Sequence, residues 1–593
     1  MDKARNIIRN VFKIFRLQYK VNKASLFYEL LATFAEKFHK IISIVFPAVV
    51  LDLIISNENR MVYGSVIILA AFLVALLDFG NRKSRDMLSA HASKTDNLVA
   101  LKAKRKSMSI DYQDLLSSSA LDLKAKGERA IYEFLEIDYV VLCDIGGSIL
   151  SLIAIGYLIA YIDILSLLIV LVSACLRALI HKKIAKVEHK YTGLVSEHTR
   201  SEEYYKEILF DTRFSKEIQI FNFADILTDK YKKVSAMVIK LEDEKARKMN
   251  LWHSLDQGIY LVQIILVYLL AIQNFYSGSI SISIFMLCIT ASQEIANSIK
   301  DLFDGFVEVM RINDYFADYE KYMDMPETIY KDEIAVAEKQ ENPDKDITIE
   351  FRNVSFQYPG SNTYALKNVS VTLCTNSIIS IVGENGAGKT TFIYLLMRLF
   401  DVTEGEILLN GTDIRQYPYS EYQKLISPVF QDYEVLAYSI KENVAFNKDV
   451  TKTHLDQCYA AADLSEMIAG LPKKDETILT KELFDDGLVL SGGEKQKLAI
   501  ARAYCHDGAV MILDEPTAAI DPLSEYRIFK NISENNKGNL TVFISHRLTS
   551  TYFSDMILVF DKGRLVQVGS HADLITQPGI YSDMFSKQSY FYQ

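Results

Sequence analysis

No CxxC pair occurs anywhere in the chain. The six cysteines, Cys143, Cys175, Cys288, Cys374, Cys458 and Cys505, are scattered along 593 residues. That spacing argues against a zinc site and against a disulfide scaffold, and the thiols read as small buried apolar groups. An excess of basic charge is also missing. The net charge is −10, so no global positive field draws the chain to nucleic acid, which is excluded as a partner. The first residues are basic (Lys3, Arg5, Arg9, Lys13, Arg16, Lys20, Lys23). No short apolar core with a small-residue cleavage site follows them, so the pattern is not that of a cleaved signal peptide. Proline is absent from two long charged stretches, 81–138 and 181–255.

What the chain has is hydrophobicity, at half of all residues, unevenly spread. Its length suggests roughly three or four domain-sized units. Up to about residue 310, long apolar runs alternate with charged stretches. From about 347 onward, short strands, glycine loops and helices follow. Residues 311–346 between them hold Pro326 and Pro343 among many Asp, Glu, Lys and Tyr, and read as a helix end plus linker.

The apolar runs have the length of a membrane-spanning helix, about 20 residues. Six are expected, at about 27–55, 62–80, 139–160, 164–180, 256–275 and 279–299. Tight turns are expected at Tyr161-Ile162-Asp163 and Tyr276-Ser277-Gly278. The connections after spans one, three and five are short, and Arg60 is their one Lys or Arg. Those after spans two and four are long and basic. The positive-inside rule therefore puts the N-terminus, both long connections and the C-terminal half in the cytoplasm. The long connections keep apolar residues at heptad-like spacing, so they read as helices.

Ser377–Val382 is an apolar strand that runs into Gly383-Glu384-Asn385-Gly386-Ala387-Gly388-Lys389-Thr390-Thr391 and then into the amphipathic stretch Phe392–Phe400. This is GxxxxGK[ST] in its strand–loop–helix context. The glycines let backbone N–H groups converge on phosphate oxygens, and the helix N-terminus adds its positive end. Lys389 is expected to reach the β- and γ-phosphates, and Thr390 to offer a hydroxyl to Mg²⁺. A second apolar strand, Ala509–Leu513, ends in Asp514-Glu515. Asp514 fits the metal-side carboxylate of such NTPases, and Glu515 the base that polarises water.

Leu490-Ser491-Gly492-Gly493-Glu494, followed by Lys495–Ala503, stands just upstream of that second strand. It resembles the signature of the ABC transporter ATPases. The resemblance implies an α/β P-loop ATPase domain behind an all-α membrane domain of six spans with long cytoplasmic helix extensions. It also implies ATP and Mg²⁺ as cofactors. Ser491, Gly492 and Gly493 would cap ATP held by the phosphate loop of a second copy, with Gly383, Asn385, Gly386, Gly388, Lys389, Thr390 and Thr391 as that loop. Four further positions match family landmarks. Tyr358 would stack on adenine, and Gln431 would touch Mg²⁺ and water. Asp521 belongs to the loop that crosses the dimer, and His546 would contact the γ-phosphate.

The layout is similar to the exporter-type half-transporters, whose long connections carry short coupling helices. These are expected near Ser109–Leu116 and Asp211–Ile218. One departure is Asp485, where exporters commonly carry Glu. Intact nucleotide positions imply a homodimer with two working sites.

The substrate is left open among a peptide, a lipid or lipid-linked molecule, and a hydrophobic compound. No peptidase-sized segment stands ahead of the first span, so leader cleavage is not expected. Glu29, Thr33, Glu36 and Lys40 share one helix face, and Asp144, Gln263, Gln293 and Glu294 are further polar positions in spans. Ionisable groups there face a bundle interior or cavity, or snorkel to water. An importer of exporter layout is the rival, and a soluble ATPase acting on ribosomes or DNA is disfavoured by the six spans. The expected location is a bacterial plasma membrane, surrounded by lipid.

Overall fold

The computed structural model describes the chain apart from residues 1, 56–59, 136, 138–139, 163, 328–346, 447–448, 517–519, 536–537, 546 and 591–593. Contacts divide it into two compact units. One comprises Met1–Lys106 and Leu123–Asp324, the other Ser107–Asp122 and Met325–Gln593.

The first unit is helical: α1 (Asp2–Val21), α2 (Lys23–Ile55), α3 (Arg60–Ser109), then α4 (Tyr112–Leu115), which belongs to the second unit, and α5 (Ser118–Phe134). A π-helical turn, Val140–Gly146, leads into α6 (Gly147–Ile162), followed by α7 (Ile164–Phe210), α8 (Ser215–Ile220), α9 (Ala224–Tyr276) and α10 (Ile282–Met323). Six of the described helical segments are long and apolar enough to cross a membrane. Much of each proline-free stretch prolongs the spans, in α3, α7 and α9, with α4, α5 and α8 as shorter helices between them. At 1.5 Å per residue, α3 with 50 residues and α9 with 53 are about 75 and 80 Å long. A bilayer core takes only about 30 Å.

Local chemistry fixes the ends. Ser281 caps α10 by accepting a hydrogen bond from the Ile284 amide at 3.3 Å. Asp211 ends the long run of α7 by accepting from the Arg213 amide at 2.9 Å. The turn read at Tyr161-Ile162-Asp163 narrows: helix runs through Ile162 and resumes at Ile164, and Asp163 lies outside the described residues. Helix also continues to Met323, through the start of the stretch read as linker.

Ile44, Ile155, Ile159, Val170, Val267, Ala291 and Ile295 form the buried centre of the spans. Large apolar side chains such as Ile68, Phe72, Ile153 and Leu261 stay exposed, as expected of surfaces whose solvent is lipid.

The second unit contains β1 (Thr348–Phe356), β2 (Leu366–Cys374), β3 (Ser377–Gly383), α11 (Lys389–Leu396), β4 (Glu404–Leu409), β5 (Thr412–Asp413) and β6 (Ile426–Val429). Further on come α12 (Lys452–Ala461), α13 (Gly492–His506), β7 (Val510–Asp514), α14 (Pro522–Asn535), β8 (Leu540–Ile544), β9 (Met556–Asp561) and β10 (Arg564–Gly569). One antiparallel sheet has the order β2-β1-β4-β5. The other is β10-β9-β3-β8-β7-β6, parallel except at β10. Every residue of β7 and β8 is buried. This is why Val510–Leu513 of β7 reads as an unbroken apolar run: a parallel sheet is covered on both faces.

Candidate nucleotide site

β3 and β7 are parallel and separated only by β8. Their carboxyl ends therefore open on the same edge, where open α/β sheets bind ligands. Gly383 closes β3 and Gly388 caps α11. A Cβ at Gly383 would come within 2.3 Å of the Phe560 carbonyl oxygen. Gly388 has a φ of +103°, and a Cβ there would meet Leu366 at 2.7 Å. Neither position admits a side chain, so the loop between them wraps tightly under the helix start. Asn385 and Gly386 are exposed on it, and Thr390 is half-buried in the first helical turn.

Lys389 is buried and lies across the loop, its Nζ donating to the carbonyls of Gly383 at 2.9 Å and Glu384 at 3.0 Å. Burial lowers its pKa, against the opposing pull of Glu515 and Asp514. Asp514, at 2% exposure, has one carboxylate oxygen, Oδ1, with no hydrogen-bond partner. Burial pushes its pKa up to about 6, helped by the neighbouring Glu515 and opposed by Lys389. A buried carboxylate with an unsatisfied oxygen suits a hard cation, which takes oxygen ligands. The residues present therefore fit Mg²⁺.

Glu515 follows directly, with φ at +50°, a left-handed backbone that non-glycine residues seldom adopt. Its amide donates to the Ile544 carbonyl at 3.2 Å. Its side chain accepts from Gln431 Nε2 at 3.3 Å. Gln496 of α13, a residue the motif reading did not single out, donates to the Glu515 carbonyl at 2.9 Å. Its only sequence signal is its place in the stretch after Ser491-Gly492-Gly493.

The Tyr358 hydroxyl lies 3.0 Å from Thr391 Oγ1, and its ring meets Phe356 and Phe400 edge-on at 5.0 and 5.4 Å. Lys389, Asp514, Glu515 and Gln431 thus form one cluster, with Thr391 and Tyr358 joined to the loop end.

Ser491, Gly492 and Gly493 stand apart. Ser491 and Gly492 are exposed. Ser491 and Glu494 cap α13 reciprocally: Ser491 Oγ accepts from the Glu494 amide at 3.3 Å, and Glu494 accepts from the Ser491 amide at 2.8 Å. Among the described residues no hydrogen bond joins this turn to the Gly383–Thr391 loop. Asp521 is also exposed and caps α14, accepting from the amides of Leu523 at 3.1 Å and Ser524 at 3.0 Å. His546 lies outside the described residues.

Two short helices of the long connections are α4, inside the expected Ser109–Leu116, and α8, which overlaps the expected Asp211–Ile218 and runs two residues past it. The Tyr112 ring of α4 packs edge-on against Phe400 at 5.7 Å and Tyr394 at 6.4 Å. Beside α8, Phe210, Ile220 and Phe221 are 80%, 80% and 74% exposed. In the spans, Glu36 is ion-paired with Arg85 and with Lys40, the latter at 3.4 Å.

Residues 366–518 match the family model described as ABC transporter. The subtilin transport ATP-binding protein SpaT of Bacillus subtilis is 30% identical over 379 residues, 63% of this chain and 61% of that protein. The ATP-dependent lipid A-core flippase of Photorhabdus laumondii is 31% identical over 385 residues, 63% of each chain. That of Paraburkholderia xenovorans is 37% identical over 239 residues, 40% of this chain and 39% of that protein. The chain thus spans less than two thirds of the length of these curated relatives. The structure of a bacterial Atm1-family ABC exporter with ATP bound covers 98% of this chain and 99% of its own, with a TM-score of 0.80 at 19% identity; at that identity the likeness concerns the fold. The chain therefore carries an ABC transporter ATPase domain, one that binds ATP, behind a region of six apolar helices, and it has the fold of an ABC exporter.

Proposed function

We propose that the protein is an ATP-driven exporter of a bacterial plasma membrane, working as a homodimer by alternating access. The observation that carries this reading is the cluster of Lys389, Asp514, Glu515 and Gln431 at the ends of β3 and β7, together with a capped but exposed Ser491-Gly492-Gly493 turn elsewhere on the same unit. Two copies placed head to tail would set the phosphate loop of one against the signature turn of the other. The exposed Phe210, Ile220 and Phe221 support the same reading, because apolar groups of that size at a cytoplasmic turn mark an interaction surface.

Thr390, Gln431 and Asp514 would hold Mg²⁺, which when bound neutralises charge on the phosphates. Lys389, which donates to the Gly383 and Glu384 carbonyls, would turn to the phosphate oxygens of ATP held in the loop. Tyr358 offers its ring to the adenine. Gln431 holds the carboxylate of Glu515, which polarises the attacking water; His546 would contact the γ-phosphate and Asp521 the opposing copy. Closure of two ATPase domains on two ATP molecules is then transmitted through α4 and α8 to the spans, so that binding and hydrolysis shift the population of inward and outward states.

SpaT is by its name a subtilin transport protein and the flippases are by their name lipid A-core flippases; a lipid-linked cargo therefore leads, with peptides and hydrophobic compounds kept beside it. The test is ATP hydrolysis by the full chain in lipid nanodiscs against mature peptides, lipid-linked sugars and cationic amphiphiles. Stimulation by one class, abolished in Glu515→Gln, is expected. Wild-type hydrolysis by Glu515→Gln would overturn the catalytic assignment, and a strictly monomeric particle in native mass spectrometry would overturn the dimer. Uptake of the cargo by vesicles with the ATPase domains facing the bath supports export; release supports an importer.

A further inference from the structure

The cysteine spacing that argued against a metal site takes no account of what folding brings together. His454 and Cys458 are four residues apart on α12 and so share one face. Cys505 sits in the last turn of α13, far off in sequence. One ligand atom from each of the three lies within 4.8 Å of the others. Cys458 and Cys505 are buried and close enough for their thiols to hydrogen-bond, and neither is in a disulfide. His454 is half-buried. None of the three belongs to the nucleotide cluster.

The chemistry of this set is specific. Two thiols and an imidazole are the ligands preferred by thiophilic ions such as Zn²⁺, and a poor match for Mg²⁺ or Ca²⁺. Around a tetrahedral Zn²⁺, with bonds of about 2.3 Å to sulfur and about 2.0 Å to nitrogen, ligand atoms sit roughly 3.5–3.8 Å apart. The widest separation here, 4.8 Å at most, needs a contraction of about 1 Å, which small torsional adjustments supply. An open cavity of about 510 Å³ adjoins the cluster, lined by His454, Gln457, Cys458, Tyr504 and Asp507 among others. It gives an ion a way in and leaves a fourth position for water, while the Asp507 carboxylate adds favourable charge.

We propose that His454, Cys458 and Cys505 form a binding site for one thiophilic metal ion of the Zn²⁺ class, which fastens α12 to the end of α13. Binding exchanges two thiol protons for the cation: Zn²⁺ enters, both sulfurs become thiolates, the neutral imidazole supplies its lone pair, and two protons leave to solvent. Because α13 begins at Ser491-Gly492-Gly493, occupancy stiffens the helix that presents the signature. Only this last consequence rests on the proposed exporter function.

The test is titration of the metal-stripped, reduced full chain with Co²⁺, whose tetrahedral thiolate complexes absorb in the near ultraviolet and visible. Expected are one Co²⁺ per chain, displacement by Zn²⁺, and release of two protons per ion in weak buffer. Cys458→Ala or Cys505→Ala should abolish the sulfur-to-cobalt band, His454→Gln should weaken binding about tenfold or more, and the exposed Cys175→Ala and Cys374→Ala should leave it unchanged. Retained ATP binding by the variants separates lost ligation from lost folding. No band in the wild type, or a band that survives both buried-cysteine substitutions, overturns the proposal. So does a Cys458–Cys505 disulfide that forms in place of metal uptake under reducing buffer. Since the readout needs no ATP turnover, a failed exporter assignment would leave this result standing, and the reverse.

Discussion

Arg177 of α7 grips Asp256 of α9 with two parallel hydrogen bonds, Nε to Oδ1 at 2.7 Å and Nη2 to Oδ2 at 3.0 Å, with both side chains almost wholly buried. Arg177 also donates to the Ala296 carbonyl of α10 at 3.2 Å and lies over the Tyr260 ring at 5.5 Å. His181, one turn further along α7, sits 3.5 Å from Asp256 and 3.2 Å from Asp304 of α10. Three long helices are thus tied by one arginine. Breaking such a pair strands a buried charge and costs about 3–5 kcal/mol, while replacing both partners by apolar groups is often neutral. Arg177→Leu alone should sharply lower thermal stability in detergent. Arg177→Leu with Asp256→Leu should recover most of it, and a double variant no better than the single would refute the pairing.

Gln496 is the brace behind Glu515. Its hydrogen bond to the Glu515 carbonyl helps hold a left-handed backbone that places the acid. Losing one buried hydrogen bond is worth about 1 kcal/mol. Gln496→Ala is expected to lower kcat for ATP by roughly fivefold, with KM little changed. A change confined to KM would mean that Gln496 acts on nucleotide binding instead.

Asp463 links α13 to α14, accepting from Lys497 Nζ at 2.7 Å and from Ser524 Oγ at 3.1 Å, with Arg527 at 3.5 Å. Burial pushes its carboxyl up, but Lys497, Ser524 and Arg527 outweigh that and hold it below the usual carboxylate range. A depressed carboxyl contributes stability that is present above its unfolded pKa and is lost as pH falls through the folded one. Asp463→Asn should therefore destabilise the ATPase unit near pH 7, and the difference from wild type should shrink as pH falls below the ordinary Asp range and through the depressed folded pKa. A difference that is constant across pH, read by thermal unfolding, would show a purely steric effect.

Tyr112 is the aromatic contact of α4 with Phe400 and Tyr394. Such a pair is worth about 0.5–1.5 kcal/mol beyond its buried area. In Tyr112→Ala, basal ATP hydrolysis should persist while stimulation by cargo falls at least severalfold, and Tyr112→Phe should restore it. Unaltered stimulation in Tyr112→Ala would remove α4 from the coupling route.

Much of the fold was legible because its signals are local. A run of apolar residues needs only its own backbone hydrogen bonds to become a spanning helix, and a glycine-rich turn between a strand and a helix needs only its own φ angles. The six spans, the Gly383–Thr391 loop, Asp514-Glu515 and the Ser491-Gly492-Gly493 cap follow from contiguous residues for that reason. The tertiary structure alone decided the pairings across distance. Arg177 was open to notice as a charge inside an apolar run, but its partner 79 residues away was not. Gln496 behind Glu515, Tyr112 against Phe400, and His454 with Cys458 and Cys505 are likewise products of packing. A buried polar group must find a partner, and which one it finds depends on how helices and strands far apart in the chain come to lie side by side.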